Sequence, residues 1–145
     1  MSLTRDATLS WVVLRLSERE CALPVSDVVE VLRMVALTPV PESPPWVVGL
    51  LNLRGRGVVV TDLKGRLGLA VQEPDLSSVI VVVRSGGREV GLIADEVIDV
   101  LDVPVDRIER PDALIAGSHL ITSVAHLGDR TILAIDLPKL LGDDH

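Results

Sequence analysis

The chain has 145 residues, which fits a single domain with enough interior to fold without disulfides or metal ions. Its 14 basic and 21 acidic side chains give a net charge of −7, which argues against binding to nucleic acid and to anionic membrane surfaces. One cysteine, Cys21, excludes an intrachain disulfide, and the longest apolar runs fall far short of the roughly 20 residues that span a bilayer, so we expect a soluble, non-secreted, cytoplasmic protein without direct membrane insertion.

Short runs rich in β-branched residues, bounded by glycine, serine or charged turns, predict that most of the chain is β-strand. Residues 17–20 and 85–88 separate paired runs and are typical of hairpin turns. Residues 26–32 and 95–101 fit either one helical turn entered through a polar cap or a bent strand. The predicted strands are Leu9–Leu16, Val58–Thr61, Val79–Arg84, Val90–Ala94 and Thr131–Ile135.

Two short helices are predicted at the ends of these strand-rich regions. Asp62 and Asp136 are suited to cap their first turns, and Gly68 and Gly142 are suited to end them. Residues 38–45 are too rich in proline for regular structure, so we expect an ordered extended loop there.

The chain contains an internal repeat. Residues 11–32 align without a gap on residues 80–101, and residues 55–68 align on residues 129–142. The sequence therefore predicts one domain, 1–145, built from two copies at roughly 10–71 and 79–143 that are joined by a linker at 72–78. Two small closed sheets of about five strands each, joined back to back, would leave few exposed strand edges.

The segment Trp46–Gly68 carries a family resemblance. Its Asn52-Leu-Arg-Gly55 core, followed by a hydrophobic strand and Asp62-Leu63, resembles the central signature of the CheW-like domain, the coupling proteins of bacterial chemotaxis. The similarity continues through residues 79–104 and 119–141. The resemblance implies an all-β fold with short helices, in which two five-stranded SH3-like barrels related by internal duplication pack around a shared core.

Comparison of the copies singles out Arg54 as a functional candidate. Gly128 stands opposite Arg54 in the second copy, so the barrel fold does not require an arginine there. Asn52, which faces His126, differs in the same way. The resemblance implies that the matching arginine contributes to receptor and kinase coupling, although Arg54 could instead anchor an ion pair within its own copy. Gly49 is a further candidate for binding, although tight backbone geometry explains it better.

A set of apolar positions is retained in both copies and is predicted to lie in the core. The resemblance nevertheless places Val28 and Glu30 near a receptor-binding surface. A groove between the barrels would expose some of these valines, including Val97, to an amphipathic partner helix, with Glu30 and Asp99 either at its polar rim or simply solvated. The positions are Val28, Val31 and Leu32 with Val97, Val100 and Leu101.

Catalytic and metal-binding patterns are absent from the sequence. The histidines are scattered, Asp62 and Asp136 occupy equivalent cap positions, and Cys21 aligns with Val90, which favours a buried thiol. We therefore expect no cofactor, no metal and no enzymatic activity.

The function predicted from these residues and the resemblance is that of a non-catalytic adaptor. The resemblance implies two partners, the cytoplasmic tip of a chemoreceptor and the regulatory domain of a chemotaxis-type histidine kinase, and recruitment to membrane-associated receptor arrays. One alternative is an adaptor of a related pathway that controls twitching, gliding or surface sensing. Another is a ligand-binding or enzymatic β-barrel, which a deep polar pocket with convergent ionisable groups would favour.

Overall fold

The computed structural model describes residues 7–69, 76–111 and 118–142, and these residues are mostly β-strand. The prediction of an all-β chain with two short helices is confirmed. The elements are β1 (Thr8–Leu16), β2 (Arg19–Pro24), β3 (Val28–Arg33), β4 (Val47–Leu53), β5 (Arg56–Asp62), α1 (Leu63–Arg66), β6 (Val79–Ser85), β7 (Arg88–Ala94), β8 (Glu96–Pro104), β9 (Ile108–Glu109), β10 (Ile121–Leu127), β11 (Arg130–Ile135) and α2 (Leu137–Gly142).

The strands form two sheets that have the same plan. The five-stranded sheet has the order β3-β6-β7-β5-β4, and the six-stranded sheet has the order β8-β1-β2-β11-β10-β9. When β1 to β5 are matched with β6, β7, β8, β10 and β11, one order becomes the other, with β9 as the additional strand. The duplication therefore relates the two sheets to each other.

Each sheet nevertheless contains strands from both repeats. The hairpin β6–β7 of the second repeat sits in the middle of the five-stranded sheet, and the hairpin β1–β2 of the first repeat sits in the six-stranded sheet. The registers agree: Val28 pairs with Val83, and its repeat partner Val97 pairs with Leu14, each beside a β-bulge. The repeats are interleaved, so neither sheet is the product of one repeat alone.

The sheets curl because the chain that leaves one edge strand pairs with the other edge strand. After β3 the chain reaches Thr38, whose N–H donates to the Leu50 carbonyl (2.9 Å) while the Leu50 N–H donates to the Thr38 carbonyl (2.7 Å). In the six-stranded sheet, β9 follows β8 and pairs with β10. This closure leaves few free strand edges, as a barrel does.

A shared core lies between the sheets, and each sheet also has its own interior. Leu14 of β1 and Val83 of β6 belong to the shared core, whereas Val13 and Val82, one residue earlier, face the interiors of their own sheets. Both faces of these strands are buried, which explains their continuous apolar sequence rather than an alternating one. Both helices contribute leucines to the shared core.

The helix caps form as the sequence predicts, and the structure settles two further details. Asp62 Oδ1 accepts a hydrogen bond from the Lys64 N–H (3.0 Å), and Asp136 Oδ1 accepts one from the Lys139 N–H (3.1 Å), so both aspartates cap helices as predicted. The ambiguous segments 26–32 and 95–101 are mainly strand. Gly142 is the last residue of α2 rather than the residue after it.

A polar tie joins the sheets at one end of their seam. Asp95, between β7 and β8, accepts a hydrogen bond from the Ser17 N–H (2.6 Å) and lies 2.8 Å from Nζ of Lys64 in α1. The Lys64 side chain is only 10% exposed. Ser26 is the repeat counterpart of Asp95 and Pro138 is that of Lys64, and neither carries a charge. The seam therefore carries an ion pair at one end, whereas the matching positions at its other end are uncharged.

Residues 72–75 of the predicted linker lie outside the described residues. Across the described ranges, none of the helices combines the length and the apolar character needed to cross a membrane.

Candidate functional site

Arg54 occupies a strained turn at the tip of the β4–β5 hairpin. Leu53 pairs with Arg56, so Arg54 and Gly55 alone form the turn, with φ angles of +49° and +87°. Glycine adopts such angles freely, whereas a side chain with a Cβ is disfavoured there. Asn52 Oδ1 accepts a hydrogen bond from the Gly55 N–H (3.0 Å) and stabilises the turn. Strain of this kind is retained mainly where a side chain has a function.

Glu30 of β3 holds the Arg54 side chain in place. Nη2 of Arg54 donates to both carboxylate oxygens of Glu30, at 2.8 and 2.9 Å. The hydrogen bond and charge of Glu30 raise the pKa of Arg54 above its ordinary value. The Arg54 side chain remains 66% exposed, and Nε and Nη1 make no hydrogen bond to any residue in the described ranges. Arg54 thus anchors an ion pair and still presents donors to a partner.

The retained apolar positions divide into two groups. Val28 and Val97 are partly buried and pack against the shared core, as predicted, and Leu32 and Leu101 pack inside their own sheets. The core prediction is wrong for Val31 and Val100, which are 43% and 61% exposed.

The exposure of these valines follows from their position on edge strands. Val31 pairs with Val81 of the shared core, but β3 is the last strand of its sheet and no strand among the described residues pairs along its outer edge. The bulged residue Val29 is also exposed, and Ile98 and Val100 repeat the arrangement on β8. We call Val29, Val31, Glu30 and Arg54 together the β3 surface.

The acidic residues of the predicted rim are ion-paired rather than simply solvated. Glu30 pairs with Arg54, and Asp99 pairs with Arg130 at 3.3 Å. Because Gly128 replaces Arg54 in the second repeat, Arg130 reaches from Glu20 to Asp99 and serves both carboxylates.

Gly49 has a steric role. A Cβ on this residue would lie 2.8 Å from Cβ of Leu37 and 2.9 Å from the Thr38 carbonyl oxygen. The chain passes this closely because Thr38 bridges to Leu50 and closes the five-stranded sheet. Gly49 is therefore needed for the backbone approach, in agreement with the simpler of the two sequence interpretations.

The geometry offers little to catalysis in the described parts of the chain. Cys21 is buried in the shared core, and burial raises the pKa of its thiol to about 12, so the thiolate needed for nucleophilic attack is not formed near neutral pH. Burial also raises the pKa of Asp62, against the backbone hydrogen bonds it accepts as a helix cap. The described residues contain no group of three or more potential metal ligands.

Sequence reasoning missed a cluster of charged residues at the same end of the five-stranded sheet as Arg54. Arg56 and Arg84 both pair with Glu89, which is 12% exposed. All three are identical in the two repeats, facing Arg130, Arg15 and Glu20. This identity was a usable signal, but it was interpreted only as a mark of the shared fold.

Comparison with known proteins agrees with this architecture. The sequence profile of the CheW-like domain matches residues 10–145. The chain belongs to the CheW-like domain family. The chemotaxis protein CheW of Rhizobium meliloti is 35% identical over 106 residues, which cover 73% of this chain and 68% of the relative. The chemotaxis protein CheW of Thermotoga maritima is 29% identical and covers 97% of this chain and 94% of the relative.

A solved structure shares the fold. The scaffolding protein TtCheW from Thermoanaerobacter tengcongensis superposes with a TM-score of 0.83 at 33% identity, covering 90% of this chain and 85% of that one. The two curled sheets are thus the pair of SH3-like barrels that the resemblance implied. As a member of this family of scaffold proteins, the chain is a non-catalytic adaptor of chemotaxis signalling.

Proposed function

We propose that this chain couples the cytoplasmic tip of a chemoreceptor to the regulatory domain of a chemotaxis-type histidine kinase. It works in the cytoplasm and is recruited to receptor arrays at the membrane. It adds no chemistry of its own. It holds receptor and kinase together, so that a change in receptor conformation alters the kinase through contacts that differ between the two receptor states.

The β3 surface is the observation that best supports this proposal. Val29 and Val31 offer exposed apolar area on an edge strand, and Glu30 between them in sequence holds Arg54, which lies in a strained turn. An amphipathic helix can place apolar side chains against the valines and an acceptor against the remaining nitrogens of Arg54. A guanidinium suits this contact because its planar fork fits a carboxylate or backbone carbonyls.

We also propose that the whole of 1–145 is one domain made of two copies, 10–71 and 79–143, with a linker at 72–78. The interleaved sheets favour a single domain, because each sheet needs strands from both copies. Receptor and kinase would then bind to one rigid unit rather than to two independent ones.

Substitution of valines on β3 tests the proposed receptor surface. Val31→Glu should fold normally, because the side chain is already 43% exposed, but should weaken binding to a receptor cytoplasmic fragment at least about tenfold. The reason is that the complex would bury a charge without a partner. Pull-down with the fragment and a reconstituted kinase-activity assay measure the two effects.

Val28→Glu is the matched variant on the same strand. It should lower the thermal midpoint, because Val28 packs on the shared core. If Val31→Glu folds and couples receptor to kinase as well as the wild type, the β3 surface is not the receptor site. If Val31→Glu unfolds as Val28→Glu does, Val31 belongs to the core.

The alternative of a ligand-binding or enzymatic barrel gains no support from the cleft beside Glu20 and Arg130. The cleft beside Glu20 and Arg130 has a volume of ≈ 380 Å³ and is open to solvent, and these two side chains pair with each other at 2.5 Å. Their charges are therefore used within the protein rather than directed at a substrate.

A further inference from the structure

Arg56 and Arg84 form a pair of cations around one carboxylate. Nη2 of Arg56 lies 3.0 Å from Oε1 of Glu89, and Nη2 of Arg84 donates to Oε2 of the same residue. Glu89 lies beneath them at 12% exposure, while the arginine side chains are 51% and 56% exposed. One largely buried carboxylate thus holds two exposed guanidiniums at a fixed separation.

The two arginines keep most of their donors. Each uses one nitrogen for Glu89, and Nε and Nη1 of both make no hydrogen bond within the described ranges. With Glu89 they line a cleft of ≈ 420 Å³ that Gly57, Val58 and Gly87 complete. A Cβ added to Gly87 would meet no heavy atom within 4 Å, so the cleft is open to an incoming group beside Gly87.

The six-stranded sheet shows the reverse arrangement at the equivalent place. Arg130, the counterpart of Arg56, lies between Glu20 and Asp99, and Arg15, the counterpart of Arg84, is directed instead to Glu96 at 2.7 Å. Two guanidiniums and one carboxylate leave one positive charge in the five-stranded sheet, whereas one guanidinium and two carboxylates leave one negative charge in the six-stranded sheet. Similar residues therefore produce opposite local charge.

Arg54 is the cause of this difference. Because Arg54 pairs with Glu30, Arg56 is left to Glu89 alone. Where Gly128 replaces Arg54, Arg130 must serve both acids. The positive charge of the cleft therefore results from the presence of Arg54 where the second repeat has Gly128. Arg54 is also part of the β3 surface.

We propose that the cleft between Arg56 and Arg84 binds a carboxylate side chain from a short acidic segment of a partner protein. Two forked guanidiniums can donate paired hydrogen bonds to a planar carboxylate, and each of these two already contacts one oxygen of Glu89 through a single nitrogen. One excess positive charge matches one carboxylate. A long polyanion such as a nucleic acid is disfavoured because it would meet the net charge of −7 of the whole chain, whereas a short acidic segment meets mainly the local positive charge of the cleft. The proposal concerns a site separate from the β3 surface and does not depend on which partner that surface takes.

Titration of the isolated wild-type protein with a tetraglutamate peptide tests the proposal. We expect saturable NMR shifts at the Nε–Hε groups of Arg56 and Arg84, little change at Arg130, and no shifts with tetraglutamine. Arg84→Gln should weaken the binding at least about tenfold, and it should fold because its side chain is more than half exposed. Arg15→Gln, the substitution at the equivalent position of the six-stranded sheet, is the matched control and should bind as the wild type does.

Three results would overturn the proposal. The first is an equal response at Arg130, which would show general attraction to charge. The second is wild-type binding by a folded Arg84→Gln. The third is a response to inorganic phosphate without one to tetraglutamate, which would show a small-anion site. The titration contains no receptor or kinase. A negative titration would therefore not contradict the coupling proposal, and a negative coupling assay would not contradict peptide binding at the cleft.

Discussion

Arg54→Gly should remove coupling while leaving the folded protein at least as stable as the wild type. The substitution copies Gly128, the residue at the equivalent turn of the second repeat, and glycine relieves the strain of the +49° φ angle. It also removes the ion pair with Glu30 and the donors that face solvent. We expect the thermal midpoint to stay equal or rise, while kinase activation by receptor falls at least about tenfold.

Two companion variants separate the backbone effect from the side-chain effect. Arg54→Ala removes the guanidinium but keeps a Cβ at a positive φ, so it should couple as poorly as Arg54→Gly and be less stable than it. Arg54→Lys should restore coupling only in part, because an ammonium group cannot reproduce a forked contact. A stable Arg54→Gly protein that still activates kinase normally would show that the arginine serves the fold alone.

Asp95→Asn should lower the free energy of unfolding by about 2 kcal/mol. The change leaves the nearly buried Lys64 ammonium without its counter-charge. Breaking a fully buried ion pair costs about 3–5 kcal/mol, and the partial exposure of Asp95 reduces the effect here. Glu96→Gln on the neighbouring residue is the control: its pair with Arg15 is exposed, so it should change stability by less than about 0.5 kcal/mol. Denaturant unfolding at pH 7 measures both.

The contacts of Asp95 with Lys64 and the Ser17 N–H also predict that the free energy of unfolding depends on pH. Burial alone would raise the pKa of Asp95, but hydrogen bonds from Lys64 and from the Ser17 N–H outweigh it and hold the pKa below its usual value. A carboxylate with a depressed pKa stabilises the fold above the unfolded pKa of about 4, and this contribution is lost as the pH falls. The stability difference between wild type and Asp95→Asn should therefore shrink from pH 7 to about pH 3.

A double variant checks the origin of the loss at Asp95. Lys64→Met with Asp95→Asn removes both charges and should recover most of the stability lost in the single variant. If the double variant is as unstable as Asp95→Asn alone, the contacts of the Asp95 carboxylate with Arg15 and the Ser17 N–H account for the loss and the ion pair with Lys64 does not. A loss in Glu96→Gln as large as in Asp95→Asn would contradict the whole explanation.

The strands and helices were predictable where residue chemistry acts locally. Runs of valine and isoleucine marked β1, β6 and β7, and aspartate caps marked both helices. β4 was missed because its leucines, glycine and asparagine lack the β-branched pattern, although the tertiary setting makes it an edge strand. The interleaving was also missed, because an alignment of repeats shows which strands are equivalent but not which ones pair.

The candidate site was predictable only in part. Arg54 stood out because the second repeat lacks it, and the structure brings it to Glu30, another predicted site residue. The exposure of Val31 was not predictable, since retention in both repeats marks equivalent places, which can be surface as well as core. The cleft at Arg56 escaped attention for the same reason: identical side chains form different ion pairs in the two repeats.

The interleaved strand order also has a consequence for synthesis on the ribosome. Every strand of the five-stranded sheet lies between Val28 and Ala94, whereas the six-stranded sheet joins the first hairpin to the last strands, up to Ile135. The first sheet can close before the chain is finished, while β1 must wait for β8 and β2 must wait for β11, the neighbour most distant from it in sequence. Pulse-labelled hydrogen exchange during refolding should accordingly protect amides of β6 and β7 before those of β10 and β11. Simultaneous protection would mean that both sheets form in one step once the whole chain is present.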